Sequence, residues 1–294
     1  MEEYSKGRSI RVGMVGCEDL PKWRGADCNQ LCAEIFEARG FGRPRQGQSK
    51  DSLVDMPVAT DKSHRDIFSA WESPSIDWAY FDAVTGLLPK LDELQNFDGF
   101  ILTGSHYSAY EPLEWISKYE EWIRELVRFQ KNNSKPPRVF AVCFSHQAVN
   151  KALGGTVGHN PHGKFVWNME DIKLNHNAQK HPFFKGLVNE DSKISYSLFE
   201  SHGDSVTALA PMAEHLATSD TSNFEIVSIG DDIISIQSHP EFSEHEMVDK
   251  ILPSLKKSGI ITDEDAEKAM ANFKSKEDAR KILKLLEIYF SRTE

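Results

Sequence analysis

The sequence predicts an α/β fold with a mostly parallel central sheet and helices at the C-terminal end. Up to Gly155, short and almost wholly apolar runs alternate with helical patterns, as in parallel sheets whose strands are buried on both faces. Beyond Gly155, strand patterns predominate. From about Ser243 onward the chain is helical in pattern and rich in charged residues.

In the first half, the apolar runs predict strands at residues 10–17, 77–83, 98–105 and 138–142. Apolar side chains at steps of three and four predict helices at 27–39 and 112–132, and a further helix after Cys143 that ends at Gly154-Gly155. Residues 88–94 are predicted to form a short helix or a turn. The polar stretch 40–75 is interpreted as a long loop or insertion, a feature that is uncommon in compact domains and often functional.

In the second half, the patterns predict strands at 165–175, 193–201, 214–220, 224–230 and 232–240, with a hairpin turn at 230–232. We therefore predict one α/β domain over residues 8–250. Residues 251–294 are predicted to be a helical extension that packs on the same domain.

The charge balance argues against several classes of partner. There are 34 Lys and Arg against 45 Asp and Glu, a formal net charge of −11, and there is no basic stripe for a nucleic acid or an anionic membrane surface. No apolar run approaches the roughly 20 residues that span a bilayer, and the first residues lack an apolar signal core. We expect the four cysteines to be reduced thiols, without a metal, in a cytoplasmic protein.

Cys143 lies where an apolar strand meets a helix. A nucleophile on such a sharp turn is held out of the core, and the helix N-terminus favours its thiolate form. The close approach of strand and helix needs small residues two positions to either side, which here are Ala141 and Ser145.

A second motif, Gln237-Ser-His-Pro-Glu241, follows the apolar run IISI. His239 would leave the sheet at the edge where Cys143 emerges, and Glu241 can reach its imidazole. Cysteine catalysis uses such a pair, because the base takes the thiol proton and the carboxylate holds the base in one orientation.

These motifs, taken in order, resemble those of the class I glutamine amidotransferase superfamily. The resemblance covers roughly residues 10–245 and is greatest to the gamma-glutamyl peptidase-like branch. Its marks are the segments 98–105, 142–147, 152–155, 201–206 and 237–241.

The resemblance implies a flavodoxin-like, three-layer sandwich, with Cys143 as nucleophile, His239 as general base and Glu241 as its orienting carboxylate. It places Gln147 near the glutamyl part of a substrate, and we expect His202 and Asp204 in a loop near the site.

Thiolate attack on an amide also requires two N–H donors for the oxyanion. We expect them from Phe144 and from the Gly104-Ser105 loop. No metal or organic cofactor is implied.

One departure from the family concerns the turn itself, where the family has Gly-x-Cys-x-Gly and this chain has Ala141 and Ser145. A positive φ at either position would introduce strain of about 1 kcal/mol or more.

Three functional hypotheses follow. The first is a cytosolic cysteine hydrolase that cleaves gamma-glutamyl amides, such as gamma-glutamyl peptides or conjugates, through a glutamyl thioester. The second is a glutaminase subunit that delivers ammonia to a separate synthetase. The third is a catalytically impaired scaffold that binds a protein partner through residues 40–75 or the C-terminal helices.

Overall fold

A computed structural model describes residues 9–43, 73–184, 195–273 and 278–291. Nine of its strands form one sheet in the order β2-β1-β3-β4-β11-β10-β9-β6-β7, and β5 pairs with β8 in a second, two-stranded sheet. The strands are β1 Ser9–Gly16, β2 Ser75–Asp82, β3 Gly99–Leu102, β4 Arg138–Val142, β5 Thr156–His159, β6 Val166–Leu174, β7 Ser195–His202, β8 Asp204–Ala208, β9 Ala213–Thr218, β10 Ile226–Ile229 and β11 Ile233–Ile236.

The central sheet divides into a parallel and an antiparallel part. β2, β1, β3, β4 and β11 run parallel to one another, whereas the pairs from β11 to β7 are antiparallel. β3, β10 and β11 are buried along their whole length, as expected for strands covered on both faces.

The helices connect and cover these strands. They are α1 Cys28–Ala38, α2 Glu114–Asn132, α3 Phe144–Ala152, α4 His176–Lys180, α5 Leu252–Lys257, α6 Asp263–Asn272 and α7 Ala279–Phe290, and the π-helical segment Glu246–Ile251 leads into α5.

The helices lie on both faces of the sheet. Val139 and Ala141 of β4 pack with α2 and α3, whereas Phe140 and Val142 of the same strand pack with α1 and α7 on the opposite face. This alternation follows from the two-residue period of a strand. The predicted three-layer α/β arrangement around a large central sheet is therefore confirmed.

The helices after residue 250 contact the body of the fold in two places. α7 contributes Leu283 and Leu286 to the cluster that contains β1 and β4. α5 and α6 pack in another cluster with Trp23, α1 and β6. Leu255 of α5 thus lies beside the segment that follows β1.

The structure differs from the sequence prediction in a few elements. β5, β8 and α4 were not predicted, because each is short and β5 contains few apolar residues. His202 and Asp204 were expected in a loop, but His202 ends β7 and Asp204 begins β8, with Gly203 between the two strands. The predicted loop at 40–75 falls largely on 44–72, outside the described residues.

Within the described ranges, no helix is both long enough and apolar enough to cross a membrane.

Candidate active site

Two neighbouring parallel strands bring Cys143 and His239 to the same edge of the sheet. β4 pairs with β11 so that Val142 lies opposite Ile236. The N–H of Cys143 donates to the carbonyl oxygen of Ile236 at 2.8 Å. Because parallel strands end at the same edge, the residues that follow them meet there. Both residues line one cavity of about 540 Å³.

The turn at Cys143 carries its strain on the cysteine itself. Cys143 has φ 49° and ψ −106°, and α3 begins at the next residue. Within the described residues, the other non-glycine residue with positive φ is Arg24. Ala141 lies in β4 and Ser145 in α3, so neither requires the conformation that glycine favours. The substitutions that depart from the family therefore add no backbone strain.

Ser145 adds hydrogen bonds where the family has glycine. Its hydroxyl donates to the carbonyl oxygen of Thr103 at 2.6 Å and accepts from the hydroxyl of Tyr119 at 2.9 Å. The hydroxyl of Thr103 in turn accepts from the N–H of Cys17 at 3.0 Å. Since Thr103 directly precedes Gly104, Ser145 links the first turn of α3 to the loop that we expect to bind the oxyanion.

The imidazole of His239 is fixed from two sides. Its Nδ1 lies 2.7 Å from Oε1 of Glu241, and its ring stacks on Phe242 with centroids 4.1 Å apart. Its backbone N–H donates to the carbonyl of Phe199 at 2.8 Å. Since Nδ1 faces Glu241, Nε2 is the nitrogen left for Cys143.

The electrostatic environment favours the protonated form of His239. Burial alone lowers its pKa, but the Glu241 carboxylate and the Cys143 sulfur raise it, and the pKa lies well above its usual value. The arrangement can therefore hold an imidazolium beside a sulfur nucleophile, which is the charge distribution that a cysteine hydrolase uses.

Gly104 lies directly against both reacting groups. A Cβ placed on it would lie 3.2 Å from Cε1 of His239, 3.4 Å from Cβ of Cys143 and 4.0 Å from Sγ of Cys143. The N–H of Phe144 belongs to the first turn of α3, where N–H groups have no intrahelical partner. Ser105 also lines the cavity. Of the three residues expected at the oxyanion hole, Gly104 and Phe144 thus lie beside Cys143 and Ser105 lines the same cavity.

Gly104→Ala is expected to lower kcat/KM by about 10- to 100-fold, because displacement of the reacting groups by a fraction of an ångström impairs catalysis. Gly158→Ala is the matched control, since its Cβ would meet its nearest neighbour, Thr207, at an ordinary 3.7 Å. The two variants should have similar melting temperatures and differ in turnover. Equal activity in both would contradict the placement of Gly104 at the reaction centre.

Gln147, His202 and Asp204 form one hydrogen-bonded wall of the cavity. The amide Nε2 of Gln147 donates to the carbonyl oxygen of Asp204 at 2.9 Å and to Oε1 of Gln237 at 3.0 Å. Nδ1 of His202 also lies 2.9 Å from the carbonyl of Asp204. Burial lowers the pKa of His202, so its neutral form is favoured.

The carboxylate of Asp204 already has partners in the protein. Its oxygens accept from the hydroxyl of Ser108 at 2.5 Å and from the hydroxyl of Tyr110 at 2.9 Å, and one lies 3.0 Å from Nδ1 of His159. These contacts join the loop after β3 to β8. A direct contact between this carboxylate and a substrate stays a prediction.

Several residues around the site lie outside the motifs recognised in the sequence. Glu200 and Glu225 are fully buried and carry carboxyl groups whose pKa is raised well above the usual value, chiefly by burial. The turn at 21–23 places Lys22 and Trp23 on the cavity. Glu225 could have been noticed in the sequence, because it is an acidic residue directly before the apolar run of β10. No local sequence pattern marks Glu200, Lys22 or Trp23 as part of the site.

Among the described residues, Glu18, Asp19 and His106 could come together around a metal ion. However, Oε1 of Glu18 accepts from the N–H groups of Asp19 and Leu20 and lies 2.7 Å from Nδ1 of His106. Oε2 of Glu18 accepts from the N–H of His106. These contacts account for the cluster without an ion.

Comparisons with known proteins point to one family. The family model "Glutamine amidotransferase class-I" matches residues 77–255. "Gamma-glutamyl peptidase 3" of Arabidopsis thaliana is 30% identical over 178 residues, which cover 60% of this chain and 68% of that protein. "Gamma-glutamyl peptidase 5" of the same plant is 29% identical over 207 residues, or 69% and 77% of the two chains.

Solved structures show the same fold at low sequence identity. The crystal structure of a glutamine amidotransferase from Thermotoga maritima aligns with a TM-score of 0.60 at 18% identity, covering 96% of this chain and 98% of that one. A glutamine amidotransferase from Methylobacillus flagellatus gives a TM-score of 0.56 at 17% identity, covering 97% and 93%.

Proposed function

Because the chain belongs to the class-I glutamine amidotransferase family, we propose that it is a cysteine hydrolase of gamma-glutamyl amide bonds. The observation that carries this proposal is the convergence of Cys143, His239 and Glu241 at the ends of two adjacent parallel strands, with Nδ1 of His239 held 2.7 Å from Glu241. The similarity to two gamma-glutamyl peptidases supports the same choice of substrate.

The residues divide the reaction into two steps. The Cys143 thiolate attacks the gamma-carbonyl carbon, and the oxyanion that forms accepts from the N–H groups of Phe144 and of the Gly104-Ser105 loop. The C–N bond then breaks, and the imidazolium of His239 gives its proton to the departing amine, leaving a glutamyl thioester on Cys143.

Water completes the cycle. Neutral His239 takes a proton from water as the oxygen attacks the thioester carbonyl, and glutamate leaves as the Cys143 thiolate is regenerated. Glu241 holds the imidazole in one tautomer throughout and stabilises its protonated form. We expect Gln147 and His202, which line the same cavity, to contact the glutamyl part of the substrate.

Cys143→Ala is expected to abolish glutamate release from gamma-glutamyl dipeptides, because it removes the nucleophile. The assay compares glutamine with a panel of such dipeptides and detects the glutamyl adduct on the wild-type protein by intact mass. Cys32→Ala, which removes a different thiol from the cavity wall, should still form the adduct. Undiminished turnover by Cys143→Ala would refute the assignment.

The same panel distinguishes the other hypotheses. A glutaminase subunit would hydrolyse glutamine in preference to the dipeptides, and faster when its synthetase is added. A scaffold without activity would leave Cys143 unlabelled by a glutamine-derived electrophile while the protein is folded.

A further inference from the structure

The cavity continues beyond the proposed catalytic residues along a wall of stacked rings. His239 stacks on Phe242 with centroids 4.1 Å apart and an interplanar angle of 6°. Phe242 stacks on Trp23 with centroids 5.6 Å apart and an angle of 5°. All three side chains line the cavity. A group that leaves from the reaction centre on this side would therefore pass over Phe242 toward Trp23.

Lys22 lies at the far end of this wall and is the one lysine or arginine among the described residues that line the cavity. Its Nζ lies 5.9 Å from the centroid of the Trp23 ring and donates to the hydroxyl of Ser254 at 2.8 Å. No carboxylate of the described residues lies within ion-pair distance of this ammonium. Lys22 is half-buried, and the charge of Glu18, on the same cavity, acts on it from beyond ion-pair distance. An anionic ligand group would give the ammonium the direct ionic partner that it lacks among the described residues.

The position of Lys22 indicates which part of a substrate it meets. Gln147, His202 and Asp204, expected at the glutamyl part, belong to α3, β7 and β8 and are hydrogen-bonded together. Lys22 belongs to the turn after β1 and contacts α5 instead. The amide bond to be cleaved lies between these two groups of elements, at Cys143.

We propose that Lys22 binds the carboxylate of the leaving group, so that the favoured substrates are gamma-glutamyl peptides with a free C-terminal carboxylate. This inference rests on the proposed function and adds a specificity-determining residue to it. Free glutamine, whose leaving group is ammonia, gains nothing from Lys22.

Binding to the Cys143→Ala variant tests the inference without turnover. The ligands are gamma-glutamyl-alanyl-glycine and its C-terminal amide, which differ in the charge at one end. The leaving group has two residues so that its carboxylate extends past the Phe242 ring, whose centroid lies 4.1 Å from that of His239, since each residue spans at most about 3.6 Å. Calorimetry should show the carboxylate form bound at least about tenfold more tightly, as for a hydrogen bond to a charged group.

Substitution of Lys22 in this background should remove the preference. The double variant Cys143→Ala/Lys22→Met is expected to bind the carboxylate and the amide ligand equally. The double variant Cys143→Ala/Lys22→Arg is expected to keep part of the preference for the carboxylate. Lys250→Met is the matched control: Nζ of Lys250 lies 5.3 Å from the same Trp23 ring, but Lys250 pairs with Glu246 and does not line the cavity. The control should keep the full preference.

Four results would overturn the inference. The first two are equal binding of acid and amide by the parent variant and a preference that survives Lys22→Met. The third is an equal loss of affinity for both ligands in Lys22→Met, which would place the glutamyl carboxylate at Lys22. The fourth is failure of the parent variant to bind either ligand. The proposed function is judged separately, by glutamate release from the protein that retains Cys143.

Discussion

His239→Gln is expected to lower kcat/KM for gamma-glutamyl peptides by about 10²- to 10⁴-fold, the range that a positioned general acid–base supplies. The side chain of His239 is almost completely enclosed, between Glu241, Phe242 and the cavity that contains Cys143. A glutamine there can neither take the thiol proton nor give a proton to the leaving amine. Steady-state kinetics on a gamma-glutamyl dipeptide, with circular dichroism to verify the fold, measure this effect.

Glu241→Gln separates the charge of this carboxylate from its geometry. The amide oxygen can still accept from Nδ1 of His239, but its negative charge is gone, so the pKa of His239 should fall from its raised value. NMR titration of the imidazole should show that fall together with a reduced kcat. Glu244→Gln changes an exposed carboxylate three residues away and should alter neither quantity. Turnover by His239→Gln close to that of the wild type would remove His239 from the mechanism.

The parallel part of the fold could be predicted from sequence because its strands are buried on both faces. Apolar runs such as those of β1 and β4 have few alternative interpretations, and each is followed by a helical pattern. β5 and β8 could not be predicted because they are only four and five residues long and neither shows a regular alternation of buried and exposed positions. The pairing of β5 with β8 depends on how the nine-stranded sheet positions these two segments in space.

The proposed catalytic residues could also be located from sequence, because they follow strands that are buried on both faces. Cys143 and His239 follow apolar strands directly, so their place at one edge of the sheet follows from the topology. Lys22 and Phe242 could not be associated with each other in this way, because 220 positions separate segments that meet only through tertiary packing. No local spacing records such a contact.

The turn at Cys143 shows a limit of motif comparison. The motif indicates that one residue near the cysteine needs a special backbone conformation, but not which one. The structure assigns the positive φ to Cys143, and Ser145 uses its additional hydroxyl to hold Thr103. Ala141 and Ser145 therefore give no structural argument for an inactive homologue.

A pair of buried carboxyl groups behind the site has a large expected effect on stability. Glu200 and Glu225 are both fully buried, and the carboxyl group of Glu225 accepts from the N–H of Ser238, next to His239, at 2.8 Å. Burial raises the pKa of Glu200, and the charge of Glu170 adds to the effect. Burial also raises the pKa of Glu225, with Glu200 as the next cause. Both carboxyl groups therefore keep their proton to higher pH than an exposed glutamate does.

The sign of the pH dependence follows from these shifts. An unfolded glutamate loses its proton near its ordinary pKa of about 4.3, whereas the folded protein keeps the proton to higher pH. Between the two values the folded state binds more protons, so the free energy of unfolding falls as pH rises, by about 1.4 kcal/mol per pH unit for each such group. The stabilisation is complete below the unfolded pKa and is lost as pH rises through the folded pKa.

Glu200→Gln should remove the contribution of Glu200 to the pH dependence of the free energy of unfolding, because an amide of the same shape stays neutral at every pH. Urea unfolding at pH 5.5, 6.5 and 7.5 is expected to show the variant gaining stability relative to the wild type at each step upward. Glu214→Gln, on an exposed position of β9, should follow the wild-type curve. Parallel curves for wild type and Glu200→Gln would mean that Glu200 is ionised in the fold. The negative charge of Glu200 would then act on His239 in addition to that of Glu241.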